Sequence, residues 1–111
     1  MATLDLERSR WRGYFDDMAQ VTRGSQVYVE TSAEEFGDQV ESRWLPLNGI
    51  TYDPKDDVLD VITDAVDHMI HHPSAISIDY DTAGIHNLCV TDREGHRQLI
   101  RMKEPMPLPG L

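Results

Sequence analysis

Three histidines, His68, His71 and His72, fall within five residues, and imidazole is the side chain best suited to proton transfer and metal ligation near neutral pH. On a helix, His68 and His72 share a face with Asp64, giving a two-histidine, one-carboxylate set of the kind that binds a divalent transition metal. Met69, Ile70 and His71 fill the interval between His68 and His72. The glutamate of a zincin-type H-E-x-x-H helix is therefore missing. The commoner role for histidines in front of a proline is structural or simply solvent-exposed. A pH-sensing variant of the same cluster has these imidazoles charging near pH ~6 on an anionic surface.

Asp53, Asp56 and Asp57 invite comparison with a calcium loop. An EF-hand needs glycine at the sixth position and glutamate at the twelfth, whereas here those positions are Val58 and Asp64. The stretch reads instead as a turn. Cys89 is the lone cysteine, between Leu88 and Val90 in an expected strand, with His86 expected on the opposite face, so it is a weak candidate nucleophile. No glycine-rich phosphate loop, nucleophile elbow or cysteine-rich zinc pattern occurs, and no cofactor is implied. The balance leans away from an enzyme, although an active site assembled by the fold around Asp67, His68 and Cys89 is the form one would take.

The elements that must position these residues belong to a chain of 111 residues with 20 acidic and 10 basic side chains, a net charge of -10. That length suits a single globular domain over residues 1–104, followed by a proline-rich tail at 105–111. Acids and bases balance over residues 1–24, so the surplus lies in the remainder. Asp53, Asp56, Asp57, Asp60, Asp64, Asp67, Asp79 and Asp81 stand against Lys55 alone in their stretch. Such a surface repels a phosphate backbone, and no nucleic-acid partner is expected. Arg8, Arg10 and Arg12 beside Trp11 do not change this, because a helix turns Arg10 away from the other two. The longest apolar runs are triplets, far short of the ~20 residues of a membrane helix. No secretory signal opens the sequence, so a cytoplasmic, membrane-free address is the expectation. A lone cysteine forms no internal disulfide, and stability must come from burial.

Trp11, Tyr14, Phe15 and Met18 recur at helical spacing and predict an amphipathic helix from about Asp5 to Gln20, ended by Gly24-Ser25. The period then changes to two. Val27 and Val29 alternate with Tyr28 and Glu30, and Val40, Ser42 and Trp44 alternate with Glu41 and Arg43, giving two strands with a helical turn at Ser32–Phe36 between them. Pro46 and Asn48-Gly49 break the second strand, and Ile50-Thr51-Tyr52 starts a third. Asp53-Pro54-Lys55-Asp56-Asp57 is a hairpin tip, since proline presets φ and aspartate accepts from backbone amides two residues on. Val58–Thr63, dense in β-branched residues, is the return strand. A helix over Asp57–His71 competes, because Val58, Ile62, Ala65 and Met69 also lie at helical spacing. The preferred reading confines helix to about Asp64–His71, stopped by Pro73. Ile76–Tyr80 and Ile85–Thr91 read as strands. Asp92-Arg93-Glu94-Gly95 then turns the chain into Gln98–Lys103, with Ile100 and Met102 on the face of Leu88 and Val90.

The segment Trp44-Leu45-Pro46-Leu47-Asn48-Gly49-Ile50-Thr51-Tyr52-Asp53-Pro54-Lys55-Asp56-Asp57-Val58-Leu59, with Asp67-His68-Met69-Ile70-His71-His72-Pro73 and the final hairpin, resembles a family of small uncharacterised bacterial proteins. It is one of the families labelled as domains of unknown function, and the likeness runs from about Trp11 to Pro107. The resemblance implies a stand-alone bacterial domain in which the Asp53–Asp57 tip and Asp67-His68 belong to the family pattern, and it carries over no activity. The shorter phrase Ile50-Thr51-Tyr52-Asp53-Pro54 is also similar to small bacterial domains in which it opens a hairpin.

These readings together predict an α+β domain: an N-terminal amphipathic helix packed on a twisted antiparallel sheet of about six or seven strands, curled towards a partly closed small barrel, with a short helix near Asp64–His71. The expected function is a non-enzymatic interaction or regulatory module, acting as a homodimer or on a protein partner. Its ligand or interface residues would be Trp44, Tyr52, Asp67, His68 and His71. The alternative is a metal- or small-ligand-binding protein using Asp64, His68 and His72.

Overall fold

Alternation of period two dominates the chain, and the computed structural model, which describes residues 2–22, 24–33, 37–40 and 44–107, realises it almost throughout. Among the described residues there are nine strands: β1 (Ala2–Leu6), β2 (Gln26–Ala33), β3 (Gly37–Val40), β4 (Leu45–Asp53), β5 (Val58–Thr63), β6 (Asp67–His71), β7 (Pro73–Asp81), β8 (Gly84–Asp92) and β9 (Arg97–Met106). The one α-helix among the described residues, α1 (Trp11–Thr22), is entered through a 3₁₀ turn at Arg8–Arg10. The strands form one antiparallel sheet in the order β1-β7-β8-β9-β2-β4-β5-β6, with β3 pairing on β2 beside the start of β4.

One face of every long strand supplies the core. Val27 and Val29, Ile50 and Tyr52, Leu59 and Val61, Ile76 and Ile78, Leu88 and Val90, and Ile100 and Met102 are all buried. The aromatic stripe of α1 completes it. Trp11, Tyr14, Phe15 and Met18 are at most 4% exposed, and the helix lies against β4. Full burial of one such side chain stabilises by roughly 1.5–3 kcal/mol, which is why the stripe holds its place although Gly13 weakens the helix. The Trp11 ring meets Tyr52 edge-on with centroids 5.1 Å apart, and its indole N–H donates to the Leu6 carbonyl at 3.0 Å.

The expected α+β arrangement is overturned. The protein is nearly all-β, with more strands than the six or seven foreseen, and among the described residues the sheet is not closed into a barrel, since β1 and β6 remain its two ends. Two segments expected as helix account for the difference. Asp5 and Leu6 lie in β1, whose residues Ala2–Leu6 pair with Tyr80–Ile76. The helix expected near Asp64–His71 is instead β6, paired from Asp67 to His71 with Ile62 to Val58. In both places a cross-strand partner bonds alternate residues of the backbone and gives the apolar face a place in the core, which outweighs the small helical preference of the segment.

Pro46 and Asn48-Gly49 do not break β4. They bend it, with the register against β5 shifting between Leu47 and Gly49 as a β-bulge. The expected proline-rich tail begins inside β9, which runs to Met106, a buried residue paired with Ile85. Pro105 is tolerated there because it falls in an irregular stretch of the β8–β9 ladder, between the Ile85 and Asn87 pairs. Gly84, with φ of 128°, turns β7 into β8 where a Cβ would run into the backbone of Met106. The expected strand at Val40–Trp44 and turn at Ser32–Phe36 lie partly outside the described residues, and Ser32 and Ala33 are the end of β2.

Candidate functional site

The tip between β4 and β5 is built by its aspartates. Asp53 Oδ1 accepts from the backbone N–H of Lys55 at 2.9 Å and of Asp56 at 3.4 Å, and the four-residue loop closes with Asp57 in the left-handed region at φ 55°. Between β6 and β7 there is a single residue, His72, also left-handed at φ 54°. These are the two non-glycine residues of positive φ among those described. Asp and His are among the side chains that reach this region at least cost, and each still carries about 1–2 kcal/mol of backbone strain. They face each other, the His72 N–H donating to the Asp57 carbonyl at 2.8 Å.

Side chains lock the corner. The Tyr52 hydroxyl donates to Asp57 Oδ1 at 2.7 Å, Arg8 Nη1 donates to the same oxygen at 3.2 Å, and His72 Nδ1 lies 3.2 Å from Asp57 Oδ2. Arg8 Nη2 donates to the Pro73 carbonyl at 2.8 Å, and its guanidinium sits 4.5 Å from the centre of the Trp11 ring. The Tyr52 hydroxyl, with His72 and Arg8 adding to it, holds the Asp57 carboxyl below the usual carboxylate range. Burial, and then the Asp57 carboxylate, pushes the Tyr52 phenol up. An imidazole oriented by a carboxylate is the pairing a general base uses. Neither obvious nucleophile completes it. The Ser74 hydroxyl donates to the carbonyls of Thr91 and Asp92, and Cys89 Sγ lies 3.7 Å from Arg97 Nη2. The contacts of Arg8, Tyr52, Asp57 and His72 clasp three turns of chain together.

Beside it lies a cleft of about 320 Å³ between Met69–His72 of the β6 side and Asp92–Glu94 of the β8–β9 turn, with Gln98 contributing. β6 borders this cleft, and the direction of its backbone groups follows from its two ends. The Thr63 N–H donates to the Val66 carbonyl, and the His72 N–H to the Asp57 carbonyl. Hydrogen-bonded pairs alternate along an antiparallel ladder, so Val66, His68, Ile70 and the His72 N–H bond towards β5, while the His72 carbonyl accepts from the Arg93 N–H of the β8–β9 turn at 2.9 Å. The N–H and C=O groups of Asp67, Met69 and His71 point the other way, and among the described residues no strand pairs with them. The side chains of the same three residues are exposed, Met69 at 53%.

The candidate residues read from sequence are thus dispersed. Tyr52 is buried in the clasp. His71 lines the cleft and Asp67 heads the open edge of β6. His68 turns inward, Nε2 lying 2.9 Å from Gln98 Oε1, which also accepts from the Thr31 hydroxyl at 2.7 Å. Trp44 is 40% exposed, its ring 5.4 Å from that of Tyr28 on the other side of the β2–β4 junction. Asp64, His68 and His72 do not converge. They occupy a turn, mid-strand and the far corner, and four residues of strand span about 13 Å. Among the described residues no three His, Cys, Asp or Glu side chains are grouped to hold a metal, and Asp67, His68 and Cys89 are likewise apart. Sequence reasoning missed Arg8, weighed only as one of a cluster of three arginines, and the Asp57–His72 pairing. It also missed Met69, assigned to a helical stripe. The alternation of His68 and Ile70 against Asp67, Met69 and His71 was the available signal for a strand with a polar outer face.

No helix among the described residues is long and apolar enough to cross a membrane. No solved structure matches the chain. An uncharacterized protein of Aquifex aeolicus (strain VF5) is 38% identical over 110 residues, covering 98% of this chain and 99% of that protein. Residues 2–111 match a family described as of unknown function, DUF5335. Nearly the whole chain takes part in both matches, the strands and the clasp included, and the chain belongs to the family of unknown function DUF5335.

Proposed function

We propose that this domain is a non-enzymatic, cytoplasmic protein-interaction or regulatory module whose docking element is the open edge of β6. The observation carrying this reading is the coincidence on Asp67, Met69 and His71 of backbone groups directed away from β5 and exposed side chains. A sheet edge of that kind recruits an extended segment as an added strand. Natural edges are commonly blunted with lysine or proline, and β6, Asp67-His68-Met69-Ile70-His71, contains neither. The acidic surface favours a protein partner over nucleic acid. The alternative metal or small-ligand role for Asp64, His68 and His72 has no observation in its favour. The test is site-specific photo-crosslinking in the native host, with the photoreactive residue at position 69 and, as a control, at exposed Lys103. A discrete adduct from position 69 alone supports the module. An absence of adducts, or the same adducts from both positions, overturns it.

A further inference from the structure

We propose that the strand taken up by the β6 edge is β6 of a second copy of this chain, paired antiparallel about a two-fold axis through Met69. This rests on the reading of β6 as the docking element and adds the identity of the partner. A two-fold axis at Met69 sets Met69 opposite the partner's Met69, and Asp67 opposite the partner's His71, with the reciprocal pair on the other side. These are the three residues whose N–H and C=O groups point outward, so each facing pair can exchange two hydrogen bonds. The seam closes with about six such bonds. Their side chains lie on the same outer face, where directly opposed residues touch. Each Asp67 carboxylate meets an imidazole that can donate to it, and the two exposed Met69 side chains cover one another.

Other registers lack this fit. An axis at Asp67 sets acid against acid, and one at His71 sets imidazole against imidazole. An axis at His68 sets Asp67 opposite the partner's Met69, and one at Ile70 sets His71 opposite it, so neither pairs acid with imidazole. Parallel pairing places Asp67 beside the partner's Asp67. The self-complementary order of acid, apolar and imidazole side chains is what an isologous two-fold contact requires. The other end of the sheet offers no equivalent, since β1 carries Asp5 and no basic residue.

Sedimentation velocity of the full chain tests the proposal, run from about 1 μM to about 1 mM because an edge contact this small associates weakly. The wild type is expected to move from monomer to dimer. Asp67→Lys and His71→Asp should each weaken the dimer at least tenfold, and the double exchange D67H with H71D should restore it to within about threefold. Met69→Pro removes an N–H that faces away from β5 and should abolish association, with far-UV circular dichroism confirming the fold. Amide exchange needs no variant. In the wild type the amides of Asp67, Met69 and His71 should slow as concentration rises. A dimer indifferent to these changes, or a monomer at every concentration, overturns the proposal. If the monomer still yields a discrete adduct with another protein from position 69, the module stands and only the second copy is lost. If no adduct forms, both fall.

Discussion

The two ends of the sheet are made differently. β1 is a guarded edge. Its Thr3 hydroxyl donates to Asp79 Oδ1 at 2.8 Å, its last residue Leu6 is buried, and the chain runs straight into Arg8 and Trp11, which pin it to the core. β6 lies between two turns, is anchored by the clasp at one end only, and presents Met69 to solvent. Both are five-residue strands with one paired neighbour. The difference teaches that edge character is set less by the strand itself than by what the chain does immediately before and after it. Arg8 connects the two, since it leaves β1 and reaches the β4–β5 tip and the β6–β7 corner.

The largest break in this comparison comes from Trp11→Ala. It should cost about 3–5 kcal/mol, a large part of the 5–15 kcal/mol that holds a domain of this size. Urea unfolding measures that loss, and β1 amides should lose protection before those of β6. Arg8→Met should cost about 1–2 kcal/mol, less than a buried charged network would, because its side chain is 55% exposed. Amide exchange should rise at the β4–β5 tip and at the Pro73 corner together. A response confined to β1 would show that Arg8 does not couple the two ends.

Tyr52→Phe should cost about 1 kcal/mol at neutral pH, and its pH dependence carries the sign of the clasp. The folded pKa of Asp57 is depressed, chiefly by the Tyr52 hydroxyl. Its ionised form therefore stabilises the fold fully above the ordinary aspartate value near pH ~3.9, and the contribution is lost as pH falls through the lower folded value. Denaturation between about pH 6 and pH 2 should show a smaller acid loss in Tyr52→Phe than in the wild type. Asp60 runs the other way. Burial first, then the nearby Asp67 carboxylate, push its pKa up, so its charge opposes folding at neutral pH and the penalty is relieved on acidification. Asp60→Asn should stabilise by about 0.5 kcal/mol at neutral pH, with the gain vanishing in acid. The smallest effect on stability belongs to Met69→Lys, within about 0.5 kcal/mol. It would give β6 a blunted edge and should leave sedimentation monomeric.

What could be read from the residues alone was local. Trp11, Tyr14, Phe15 and Met18 identify a buried helical face because their spacing repeats every turn. Val27–Glu30, Ile76–Tyr80 and Leu88–Val90 identify strands because apolar residues alternate. Asp53-Pro54 and Asp92 with Gly95 identify turns because proline, aspartate and glycine bias their own backbones; in the second, Asp92 Oδ1 does accept from the N–H groups of Glu94 and His96. These preferences act within a few residues and need no partner.

Tertiary structure decided the rest. Whether 64–71 would be helix or strand turned on Val58–Thr63 offering it a ladder, and whether Ala2–Leu6 would be strand turned on β7, seventy or more positions away. The clasp assembled from Arg8, Tyr52, Asp57 and His72 has no common motif, because its members meet only where three turns are folded together. That β6 ends the sheet is a property of strand order. Side-chain chemistry fixes which face of a strand is wet, but which edge stays open depends on long-range pairing that no single segment encodes.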